Sequence, residues 1–171
     1  IGRIFQDPMK GTAPSLTIEE NLALAYSKQK KRSFSLAMGR KDREYFRQAL
    51  SAFGMDLENR MGTRVGLLSG GQRQVVTLLM STLVSPKLLL LDEHTAALDP
   101  AAAEKVMEIT KEIVNRAQIT TMMITHNMKQ ALETGSRTLM LDGGNILLDI
   151  DETERRGMKV EDLLELYSEK K

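Results

Sequence analysis

Cysteine is absent from the 171 residues. That excludes a disulfide framework and thiol catalysis, and it is compatible with a reducing compartment. No apolar run approaches the ~18 residues of a membrane span, and no secretory leader is visible, because the first residues read as a strand. Net charge is nearly missing: 24 Lys and Arg against 23 Asp and Glu leave +1, so nothing global points to nucleic acid or to an acidic tail. Internal repeats and low-complexity tracts are lacking. So is an initiating methionine, and the chain reads as a piece whose start lies upstream. What remains is one ordinary domain's worth of chain, 42% apolar and able to build a core. Charge is uneven locally. Lys28, Lys30, Lys31 and Arg32, then Arg40, Lys41 and Arg43, form a basic stretch. It is either a solvated helix face or a surface near anionic headgroups or a membrane partner.

Ile1 to Phe5 reads as a short strand, ended by Asp7-Pro8 and a loop from Gly11 to Pro14. Thr17-Ile18-Glu19-Glu20 has the pattern of a capping box and predicts a helix from Ile18, with Leu22, Ala25 and Tyr26 on one apolar face. A second helix is expected from Lys41 to Phe53, with Tyr45, Phe46, Ala49 and Leu50 inward and Gly54 as its stop. Lys87 to Leu91 ends in a run of leucines, which suits a strand buried on both faces of a parallel sheet. Pro100 opens a helix through Arg116, Thr120 to Thr125 is a further strand, and another helix follows His126. Asp142-Gly143-Gly144 joins Arg137–Leu141 and Asn145–Ile150 as a hairpin, and Val160 to Lys170 is a terminal amphipathic helix. Strands alternating with helices imply an α/β fold.

Two segments carry chemistry. Leu68-Ser69-Gly70-Gly71-Gln72 stands immediately before an apolar helix. Glycines there let backbone N–H groups approach an anion, the helix dipole favours negative charge, and Ser69 adds a hydroxyl donor. The plain alternative is a glycine turn before a core helix. Leu88 to Glu93 is an apolar strand ending in two carboxylates. Ligands sit outside the carboxyl ends of strands in open parallel sheets. Asp92 is placed there to hold Mg²⁺ through water, and Glu93 to orient or deprotonate a water. Two solvated acids at a strand end are the alternative. Asp92 follows Gly71 by 21 residues, Asp99 follows Glu93 by six, and His126 follows Asp92 by 34. The last gap fits a crossover helix and a return to a neighbouring parallel strand, which puts His126 at the same sheet edge as Asp92.

At this point the chain resembles the ABC ATPase family, over nearly its whole length and with five motifs in family order. Leu68 to Gln72 matches the signature motif, Leu88 to Glu93 the Walker B strand with its catalytic glutamate, and Ala97-Leu98-Asp99 the D-loop. His126 is similar to the switch histidine and Gln6 to the Q-loop glutamine. The resemblance implies a P-loop NTPase-like parallel sheet with helices on both faces, plus an α-helical signature subdomain. Residues 9–85 would be that subdomain, 1–8 and 86–150 the RecA-like core, and 151–171 a helical tail. It implies ATP and Mg²⁺ as cofactors and ATP hydrolysis as the activity. Gln6 and Asp92 would serve the metal and the attacking water, Glu93 would be the base, and His126 would contact the γ-phosphate and position the water. Ser69, Gly70, Gly71 and Gln72 would cap the γ-phosphate bound to the other subunit of a head-to-tail dimer, with Asp99 communicating across it. Implied partners are that second subunit, membrane permease subunits and a solute-binding protein, with no nucleic acid. The implied place is the cytoplasmic face of the cell membrane, and the implied task is solute transport, import above all.

One departure is a missing part. The family carries a G-x-x-x-x-G-K-[ST] loop that cradles the phosphates. No such loop occurs in these residues, and Met9-Lys10-Gly11-Thr12 lacks the pattern. The other is His94, which follows Glu93 where many members have proline, and which reads as a loop variant rather than a second base. Two other readings stay open: a non-transport ABC ATPase of DNA repair or translation, and a catalytically dead remnant. Against repair ATPases with an inserted coiled coil, only 63 positions separate Gln6 from Ser69, and no heptad run fills them.

Overall fold

The computed structural model describes residues 1–30 and 39–170, the side chains of 28–30 and 170 excepted. The expectation for Lys28, Lys30, Lys31 and Arg32 therefore lies outside what is described. The chain divides into two compact units, Ile1–Ile124 and Thr125–Lys171, taken here in turn.

The first unit holds β1 (Gly2–Ile4), α1 (Ile18–Lys30), α2 (Arg40–Ser51), α3 (Gly70–Thr82), β2 (Leu89–Asp92), α4 (Pro100–Ala117) and β3 (Thr121–Ile124). The strands lie in the order β1-β2-β3, all parallel, with Arg3 opposite Leu90 and Leu90 opposite Met122. The chain reaches each new strand through helices, which is what a parallel pair requires. The Thr17 cap forms as the sequence predicts: Thr17 Oγ1 accepts from Glu20 N at 3.2 Å, and Glu20 Oε2 accepts from Thr17 N at 2.7 Å. The loop ahead of it is held by buried Asn21, whose Oδ1 accepts from Ala13 N at 2.8 Å. Its Nδ2 donates to Ala13 O and Thr17 O.

The core of this unit gathers Ile18, Leu22, Phe46, Leu50, Val75, Leu78, Leu79, Leu89, Leu91, Val106 and Ile109. Fully burying one such side chain stabilises by about 1.5–3 kcal/mol. Tyr45, expected inward, is 42% exposed; its ring lies beside those of Tyr26 and Phe46, and its hydroxyl donates to Leu83 O at 3.0 Å. The sheet is parallel as expected, and its two faces differ in exposure. One face, carrying Gly2, Ile4, Leu89 and Leu91, is buried. The other, carrying Arg3, Leu90, Asp92, Met122 and Ile124, is open, and Met122 and Ile124 are each 56% exposed.

The second unit holds α5 (Met128–Glu133), β4 (Arg137–Asp142), β5 (Asn145–Asp151), α6 (Glu152–Arg155) and α7 (Val160–Lys170). The antiparallel hairpin β4–β5 turns on Gly143 and Gly144, with φ of 54° and 84°. Both positions demand the left-handed region that glycine enters without penalty. Leu148, Ile150 and Leu163 form its buried centre. Arg155 fastens the unit: Nη1 donates to Ala131 O, Thr134 O and Thr138 Oγ1 at 3.0–3.1 Å. The short α6 was not foreseen. Asp151 caps it, accepting from Thr153 N and Glu154 N. No described helix is long and apolar enough to cross a membrane.

Candidate functional site

Three of the residues singled out meet at the carboxyl end of the sheet in the first unit. Gln6 follows β1, Asp92 ends β2, and Glu93 is the next residue. Gln6 Nε2 donates to Glu93 Oε2 at 3.1 Å. Register explains the meeting: Ile4 lies beside Leu91, so the chains leave the sheet together two residues later. Glu93 N still donates to Ile124 O at 3.0 Å, but its φ is +44°. That left-handed turn costs a non-glycine residue about 1–2 kcal/mol and re-aims the side chain at the point where the ladder stops. Such outliers collect at functional sites.

Asp92 has a partner that the sequence did not reveal. Arg3 Nη2 donates to Asp92 Oδ2 at 3.2 Å, and the Arg3 guanidinium lies 4.7 Å from the Phe5 ring centroid. Arg3 and Asp92 stand 89 positions apart, so only the β1–β2 register could have disclosed the pair. Both side chains are partly exposed, which keeps such a pair within about 1 kcal/mol.

No group of three or more His, Cys, Asp or Glu able to hold a metal occurs among the described residues. Asp92 and Gln6 instead offer two oxygens at a strand end. That fits Mg²⁺, which keeps several waters and is completed by substrate phosphates rather than caged by protein. Asp92 and Gln6 would hold it, and when bound it would neutralise phosphate charge.

A second cluster forms where α3 and α4 begin. Ser69 caps α3: its Oγ accepts from Gln72 N at 3.3 Å, while Gln72 Oε1 accepts from Ser69 N at 3.2 Å. The serine hydroxyl proton is not spent in this box. Gln72, expected at the ligand, closes the cap. Ser69 and Gly70 are exposed and Gly71 is buried. Asp99 caps α4, its Oδ1 accepting from Ala102 N at 3.0 Å. Arg73, which sequence reasoning passed over, donates to Val65 O and Gly66 O at 3.2 Å and to Leu68 O at 2.9 Å, and so ties down the loop that delivers Ser69.

His94 is buried, at 2% exposure. Its Nε2 lies 3.2 Å from Thr110 Oγ1, and that hydroxyl donates to Val106 O at 2.7 Å. The hydroxyl proton being used, the Thr110 oxygen accepts and His94 carries its proton on Nε2. Burial pushes its pKa down to about 4. A neutral, enclosed imidazole with a structural partner accords with the loop-variant reading. His126 belongs to the second unit, just ahead of Asn127, whose side chain caps α5 by accepting from Gln130 N.

Known proteins resemble this chain over most of its length. The ABC transporter family profile matches residues 1–96. A tyrosine transport ATP-binding protein of Clostridioides difficile is 45% identical over 167 residues, which are 98% of this chain and 66% of that protein. A dipeptide transport ATP-binding protein of Bacillus subtilis is 31% identical over 85% of this chain and 42% of its own length. This chain thus spans 42% to 66% of the length of these curated relatives. The solved structure of cbiO1 from Clostridium perfringens, part of the ABC transporter complex cbiONQ, has a TM-score of 0.74 at 22% identity. It covers 96% of this chain and 61% of its own, a likeness of fold. Matched by the profile over more than half of its residues, the chain belongs to the ABC transporter family.

Proposed function

We propose that these residues belong to the ATP-binding, ATP-hydrolysing subunit of a transporter that imports solutes. The observation that carries the reading is the Gln6–Glu93 hydrogen bond of 3.1 Å beside Asp92, at the carboxyl end of a parallel sheet. It joins, across 87 positions, an amide and a carboxylate suited to one water. In this reading Glu93 takes the proton of a water as its oxygen attacks the γ-phosphorus and the bond to the β-phosphate oxygen breaks. Asp92 and Gln6 would hold Mg²⁺, and Gln6 and His126 would orient the water. Ser69, Gly70 and Gly71 offer hydroxyl and amide donors to the γ-phosphate held by a second subunit, with Gln72 steadying them and Asp99 at the dimer seam. Residues 9–85 form the helical subdomain that docks on a membrane permease, 1–8 and 86–150 belong to the ATP-binding core, and 151–171 form a tail. The subunit works at the cytoplasmic face of the membrane. Import is supported by the relatives, whose names include sulfonate and sulfate import systems besides the tyrosine and dipeptide ones.

The test uses the full-length gene product. Glu93→Gln removes the base while keeping shape. ATP turnover should fall by about 10²–10⁴-fold, the usual worth of general base catalysis, while ATP-dependent dimerisation persists. Near-normal turnover would remove Glu93 from that role.

A further inference from the structure

The two glycines of Ser69-Gly70-Gly71 have different neighbours. A Cβ placed on Gly70 would come 3.1 Å from Leu98 Cδ2, the far end of a flexible side chain that can rotate away. A Cβ on Gly71 would come 3.0 Å from Ala102 Cβ and 3.8 Å from Ala102 Cα. Ala102 has no torsion with which to retreat, and it is anchored in the first turn of α4, where its N–H is bound by the Asp99 cap at 3.0 Å. Gly71 is buried while Gly70 is exposed. The open side of the α3 start is therefore Gly70 and Ser69, and Gly71 is the surface on which α4 is seated.

We infer that Ala102 is a positioning residue: by packing on Gly71 it sets where the Ser69, Gly70 and Gly71 donors stand, and it makes Ser69–Gly71 and Leu98–Ala102 one rigid piece. The absence of a side chain at Gly71 is then required for closeness of the two helices, whatever its amide donates to. This rests on the functional reading above as far as the nucleotide is concerned. Its physical content is a distance: an alanine at Gly71 forces the two helix starts apart by several tenths of an ångström, the scale at which a preorganised donor set fails.

The experiment uses the full-length gene product carrying Glu93→Gln, with Gly71→Ala, and with Gly71→Ala combined with Ala102→Gly. ATP-dependent dimerisation is followed by light scattering at a temperature where every variant is folded, and unfolding midpoints are recorded without nucleotide. Gly71→Ala should weaken dimerisation about tenfold or more, and Ala102→Gly should restore most of it by vacating the space. No recovery in the double variant overturns the inference, because the need for glycine then lies on the ligand side. Dimerisation of Gly71→Ala equal to the parent, with only a lower midpoint, overturns it too, because the contact is then purely structural. If Gly71→Ala gives no folded protein, recovery of folded, dimerising protein by Ala102→Gly decides in favour and failure to recover decides against. If the Glu93→Gln parent itself forms no ATP-dependent dimer, the functional reading fails first. The packing claim is then decided by the midpoints, which should be lower in Gly71→Ala and restored in the double variant.

Discussion

His94 shows how a residue beside the chemistry serves the fold. Its pKa is near 4 in the native protein, against about 6.5 in an unfolded chain. Between those values the unfolded state binds more protons, so stability is fully present above pH 6.5 and is lost as pH falls toward 4. The loss amounts to roughly 3 kcal/mol across the window. Denaturant midpoints measured at pH 7 and pH 4.5 should fall further for the wild type than for His94→Gln, which keeps a donor for Thr110 but no titration. Equal falls would show that His94 contributes no pH dependence. At this scale the sequence was partly legible. Adjacent residues such as Asp92 and Glu93 announce themselves, and so does a capping box closed within three positions. Arg3 beside Asp92 does not, because nothing local distinguishes that arginine from any other exposed one.

Among the elements, α3 depends on what precedes it. Arg73 spends its guanidinium on three carbonyls of the loop from Val65 to Leu68, a use that needs the planar fork of donors. Arg73→Ala should cost about 1–3 kcal/mol of stability by chemical denaturation, with faster amide exchange over residues 65–69. Arg73→Lys should recover less than half of the loss. Full recovery by lysine would show that charge alone matters. Elements written by periodicity were legible: α1 starts and α3 follows the glycines as expected, and α2, α4, the Asp-Gly-Gly hairpin and α7 stand within a few residues of their expected bounds. The expected strand Lys87–Leu91 became Leu89–Asp92, since strand limits are set by the partner's register and not by the leucines. The packing of Gly71 on Ala102 was illegible for the same reason: a tertiary distance leaves no mark on either helix's own sequence.

At the scale of the molecule, Gln6, Ser69, Asp92, Glu93 and Asp99 are carried by the unit Ile1–Ile124, and His126 by the unit Thr125–Lys171. Neither contains a G-x-x-x-x-G-K-[ST] segment. That loop supplies amides and a lysine to the phosphates in this family, so the 171-residue polypeptide by itself should show no measurable steady-state ATP turnover. Turnover in the pure polypeptide would mean that other donors here replace the loop. The sheet face that these 171 residues leave exposed bears on something more practical. Met122 and Ile124 stand two residues apart on β3, on the face of the sheet that these 171 residues leave exposed, and a net charge of +1 gives little mutual repulsion between copies. Colloidally, the 171-residue polypeptide should be sticky: at equal protein concentration, stocks in sulfate or phosphate, which strengthen apolar association, should cloud sooner than stocks in low salt.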